Sequence, residues 1–154
     1  MKRFMVLTAL VVVGVAVLAA CAMTKMSSSE AIAARQKLMK EQGAALKSIQ
    51  DKAKAGQIQQ VAPDAQKLVQ TSKQIPELFP EGSVDPNTSR AKPDIWQKRS
   101  EFEGYAKSLN SKAEQLAATA QGGNAQATNA AIADLPRTTC VACHNAFRGP
   151  ELKK

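Results

Sequence analysis

Histidine occurs once in the 154 residues of this chain, and aromatic residues make up only 4%. A structural zinc site would need a fourth nitrogen or sulfur ligand that the domain over residues 30–154 lacks. No stretch alternates apolar and polar residues over a strand's length, so a sheet is excluded. A basic motif interleaved with aromatics is missing too. The formal charge of +8 therefore speaks for docking to acidic partners or to anionic membrane surfaces, and not for nucleic acid. Two of those charges, Lys2 and Arg3, sit in the leader. The length suits one domain with a real core and is too short for two.

What is there begins with two cations followed by an apolar run from Phe4 to Ala20 broken only by Thr8, the pattern of a secretory signal. Left uncleaved, the run would sit at the lower length limit for a membrane helix. Its end reads in two ways. Leu18-Ala19-Ala20-Cys21 matches a bacterial lipoprotein box, and Ala20-Cys21-Ala22 fits ordinary small-x-small cleavage. Acylation of Cys21 is favoured, because it gives an otherwise odd thiol in an oxidising compartment a role as a lipid anchor. The expected organisation is a signal over residues 1–20, a small polar tether over 21–29 and a helical domain over 30–154.

Four amphipathic segments follow. Ile32, Arg35, Met39, Gln42, Leu46, Ile49 and Ala53 form the first stripe, closed by Gly56. Val61, Ala65, Leu68, Ser72 and Ile75 form the second, which Pro76 ends. A loop rich in Pro, Gly, Ser and Asp leads to Pro93-Asp94, the start signal of a third helix running to Gly122-Gly123. The last segment, about Asn124 to Phe147, places Ala127, Ala131, Leu135, Cys143 and Phe147 near one face, with Pro136 bending it. These patterns predict an all-α antiparallel four-helix bundle. Its side chains are small, and the large aromatics beyond the leader are Phe79, Trp96, Phe102 and Phe147, with Tyr105. Something other than side chains must fill its middle.

The candidate for that filling is written at Cys140-Val141-Ala142-Cys143-His144. C-x-x-C-H on an exported chain is the attachment signature of c-type haem. Each thiol adds across one vinyl group, and the imidazole directly after the second cysteine reaches the iron from one side. The only histidine of the chain is the one in this motif. A plain Cys140–Cys143 disulfide would leave His144 unexplained, and a thioredoxin-like redox pair would need a βαβ setting that the helical periodicity excludes.

With these residues in place the chain resembles the class II cytochromes c, four-helix proteins whose C-x-x-C-H lies near the C-terminus. The resemblance covers about Glu30 to Arg148 and rests on Arg35-Gln36-Lys37-Leu38-Met39, Ile75-Pro76-Glu77-Leu78-Phe79-Pro80, Lys92-Pro93-Asp94-Ile95-Trp96 and Cys140 to Arg148. It implies one haem c per chain, a haem-propionate contact from Arg35 and a basic residue, Arg148, one turn beyond the histidine. Within the family, cytochromes c-prime are high-spin with an open distal site that admits small gases, and a low-spin branch takes a methionine ligand from the first helix. Met39 falls on that position, and the stretch Leu78 to Ser83 looks closer to the methionine-ligated branch. Past the leader, Met23 and Met26 lie in the tether, so Met39 is the methionine on a predicted buried stripe.

The expectation is thus a non-enzymatic, periplasmic-side electron carrier with His144 proximal and Met39 distal, docking to acidic redox partners. The alternative is a five-coordinate protein that binds nitric oxide or carbon monoxide, and a third reading is a cofactor-free acylated lipoprotein. The resemblance also implies homodimers formed through the first two helices.

Overall fold

In the computed structural model, residues 26–152 are described. Helix α1 spans Ser28–Lys54. Ser27 caps it, its hydroxyl accepting from the Glu30 amide at 3.3 Å while the Glu30 carboxylate accepts from the Ser27 amide at 2.9 Å. This capping box satisfies two end groups at once. The helix therefore begins two residues before Glu30, and Ser27 to Ser29, read above as tether, are its cap and first turn. Gly56, at φ +73°, reverses the chain after Lys54 in a conformation other residues rarely adopt.

A 3-10 turn, Ile58–Gln60, leads into α2, Val61–Gln74. Pro63 lies in its first turn, where the missing amide has no intrahelical partner to lose. All five residues of the predicted second stripe are buried.

The third helical segment, expected to run unbroken from Pro93-Asp94, is divided. Helix α3, Asp94–Gln97, is a single turn, and α4 spans Arg99–Gln121. Lys98 leaves the helical region at φ −116°, ψ 46°. The break lets two donors address one loop: Trp96 Nε1 donates to the carbonyls of Phe79 and Pro80, and Arg99 donates to those of Phe79 and Pro76. Neither Gly nor Pro marks Lys98, so nothing local announces it.

Helix α5, Ala125–Leu135, is capped by Asn124. A π-helical turn, Pro136–Val141, joins it to α6, Ala142–Phe147. The buried residues of α5 and this turn are Thr128, Ile132, Leu135 and Thr139, whereas Ala127 and Ala131 are half-buried, so the predicted Ala face is corrected by about one position. Ile132 offers more apolar area than Ala131, and burying it wins.

The four long helical segments pack as an all-α bundle. Polar cross-ties fix their relative positions: Gln42 of α1 to Thr71 of α2, Asn110 of α4 to Val69 O and Ser72 of α2, and Lys112 of α4 to Asp134 of α5. Among the described residues no helix is long and apolar enough to cross a membrane.

Candidate haem site

A cavity of about 580 Å³ opens between α1, the loop after α2, α4 and the C-terminal segment. Its wall brings together Arg35, Met39, Cys140, Cys143, His144 and Arg148, the predicted site residues within the described chain. Cys21 lies outside the described residues.

On one wall, α1 supplies Arg35 and, one turn later, Met39. Arg35 is buried, and its guanidinium lies 4.6 Å above the Phe79 ring. It donates to the hydroxyl and carbonyl of Ser83 at 2.9 and 2.7 Å and to the hydroxyl of Ser89. All three partners are neutral oxygens, and no carboxylate among the described residues pairs with this cation. A buried unpaired charge is expensive, so the site is built to receive an anionic group. Burial also lowers the Arg35 pKa, without approaching neutrality for a guanidinium.

On the opposite wall, both cysteines of the motif are free and half-buried. Burial, with a smaller contribution from Cys140, pushes the Cys143 thiol up to about 11. His144 is half-buried, and burial first, then the charges of Arg148 and Arg90, holds its pKa below the usual 6.5. A neutral imidazole keeps a lone pair for a metal.

Arg148 is corrected in one respect. It does not continue the helix of His144, since α6 ends at Phe147 and Arg148 is extended at φ −111°, ψ 127°. Its backbone pairs in an antiparallel bridge with Ala91, and the Gly149 amide donates to the Arg90 carbonyl at 2.7 Å. That clasp takes over from helical hydrogen bonding ahead of Pro150.

Sequence reasoning missed several residues here. Ser83 and Ser89 hold Arg35, and Arg90 lines the cavity while its Nε donates to the Gly149 carbonyl at 2.9 Å. All three lie in the loop, where no periodicity marks a side chain's direction. On the cavity wall, Phe79, Phe102, Phe147 and Tyr105 form an edge-to-face chain with centroids 4.9, 5.5 and 6.1 Å apart.

The residues fit haem c. Two free thiols and a neutral imidazole face a mainly apolar cavity, and a buried cation without an anion stands on its wall.

Comparison with known proteins agrees. The family profile described as Cytochrome C' matches residues 30–148. A cytochrome c' of Pararhodospirillum photometricum is 32% identical over 89 residues, 58% of this chain and 70% of that protein. One of Rhodospirillum rubrum is 32% identical over the same length, 60% of that protein. Among solved structures, cytochrome c' from Thermochromatium tepidum superposes with a TM-score of 0.70 at 26% identity, covering 82% of this chain and 99% of that one. A nitric oxide complex of a mutant cytochrome c prime from Alcaligenes xylosoxidans gives 0.71 at 22% identity, covering 81% and 98%, and shows the shared fold. These relatives are cytochromes c', so the methionine-ligated branch draws no support from them. The chain belongs to the cytochrome c' family and carries one covalently attached haem c with its iron.

Proposed function

We propose that this protein binds small uncharged gases such as nitric oxide or carbon monoxide at the distal face of its haem, with Met39 as a wall residue and not a ligand. The observation that carries the proposal is the chemistry of the α1 wall. It presents no histidine, its buried cation Arg35 is held by Ser83 and Ser89, and Met39 is left half-buried at the cavity. The haem, held by Cys140, Cys143 and His144, would supply an iron that changes charge by one electron and can take a small ligand. The remaining work falls to the chain. Cys140 and Cys143 hold the group covalently, His144 offers its neutral imidazole, and the apolar wall from Leu68, Phe102 and Leu109 keeps water scarce. That a related fold has been solved with nitric oxide, and with carbon monoxide in another variant, supports the reading.

One observation favours a second reading, electron transfer with Met39 as sixth ligand: its thioether sits one turn beyond Arg35 on the cavity wall. The Met39→Leu variant separates the two. Gas binding expects a high-spin oxidised spectrum and ready carbon monoxide uptake by the reduced wild type, both little changed in the variant. A low-spin wild type that refuses carbon monoxide until Met39 is replaced would transfer the assignment to electron transfer. Neither reading assigns an enzymatic reaction.

Export to the periplasmic side, anchoring through an acylated Cys21, acidic partners and a homodimer belong to this proposal. They rest on the leader, the excess of Lys and Arg and the dimer named for a similar fold. Fractionation and sedimentation of the matured protein check them.

A further inference from the structure

The π-helical turn at Pro136–Val141 stands immediately before the second cysteine and the histidine of the motif. An α-helix advances about 100° per residue, so Phe147, twelve residues after Leu135, would point about 120° away from it in an unbroken helix. Both are nonetheless buried, at 4% and 1% exposure. By the same count of about 100° per residue, His144 would point about 180° from Leu135, away from the core. Instead Leu135, Cys143, His144 and Phe147 all line one cavity.

A π turn is in effect one residue inserted into a helix. Counting one residue fewer at about 100° each, Phe147 falls within about 20° of Leu135, Cys143 within about 20° and His144 at about 80°. The burial pattern matches this second register.

The local chemistry accounts for the turn. Pro136 has no amide, and its ring would strike the Ile132 carbonyl in a regular helix. Two hydroxyls then occupy carbonyls just before it. Thr138 Oγ1 donates to Asp134 O at 3.0 Å, and the buried Thr139 Oγ1 donates to Leu135 O at 2.6 Å. Lys112 of α4 binds the Asp134 carboxylate and pins the start of the turn to the bundle.

We propose that this turn is a register device: Pro136, Thr138 and Thr139 are positioning residues that rotate His144 from the outer face of the last helix into the cavity. The proposal rests on the haem site described above. It makes an asymmetric prediction that a merely stabilising role does not. Removing one residue from the turn straightens the helix while keeping the productive register, and adding one destroys that register.

The test uses the full chain matured with haem-attachment machinery, in two variants. One deletes Thr138 in a Pro136→Ala background, and the other inserts an alanine after Thr138. The deletion variant is expected to show the haem mass on the chain and to melt, haem-free, within about 5 °C of wild type. The insertion variant is expected to lose the haem mass and to melt lower. A deletion variant that fails to fold, or folds without taking haem, overturns the proposal, and so does an insertion variant loaded like wild type. Should the wild type itself carry no haem, the cofactor reading fails instead, and the two haem-free melting temperatures still decide the register.

Discussion

The two ends of this bundle are built on opposite rules. At the closed end Ile49, Val61, Ala65, Ala113, Leu116 and Ala120 are each fully buried, small and medium side chains that take no part in the cavity wall. At the other end Leu46, Leu68, Leu109 and Leu135 line the cavity together with the aromatic chain from Phe79 to Tyr105. The comparison teaches where stability resides. The closed end holds the fold together by burial, and the open end is held apart by cross-ties so that a rigid group can enter.

The largest expected effect comes from cutting the closed end. Leu116→Ala removes a fully buried side chain and should lower the unfolding free energy by about 3 kcal/mol in the haem-free chain. Leu46→Ala, on the half-buried cavity wall, should lower it by under about 1 kcal/mol, since less of its area leaves water on folding. Urea denaturation of the two variants side by side measures the contrast, and equal losses would show that the ends are not distinct.

A smaller effect is expected at the tie between α1 and α2. Burial alone would raise the Asp64 pKa, but hydrogen bonds from Lys52 at 2.7 Å and Ser48 at 2.6 Å, with the Lys52 charge, lower it overall. A depressed carboxylate contributes stability that is complete above its unfolded pKa near 3.8 and is lost as pH falls through the lower folded value. Asp64→Asn should therefore cost about 1 kcal/mol at neutral pH and nothing in strong acid. Denaturation midpoints of wild type and variant should converge on acidification. A gap that persists in acid would place the effect in packing and not in charge.

An effect of similar size has the opposite sign. Thr128 is fully buried, two turns before Leu135, and its hydroxyl has no hydrogen-bond partner. Thr128→Val keeps the shape and removes the orphaned polar group, so a gain of about 1 kcal/mol is expected. A lower melting temperature for the variant would mean that the hydroxyl is satisfied in the folded protein.

The sequence by itself determined the bundle, the attachment motif and much of both core stripes. Each of these is a matter of spacing along one element: Val61 to Ile75 recur at helical intervals, and Cys140, Cys143 and His144 are adjacent in the chain. It also implied the cavity, because so few large side chains could not fill the space between four helices. Only the tertiary structure decided the rest. Ser83 and Ser89 meet Arg35 across 48 and 54 residues of chain, and Lys98 breaks a helix so that Trp96 and Arg99 can reach one loop. Pro136 announced a bend, but not that the bend would be a π turn of the right hand to bring His144 inward. Such contacts depend on which carbonyls a neighbouring segment leaves unpaired, and no periodicity within a single helix carries that information.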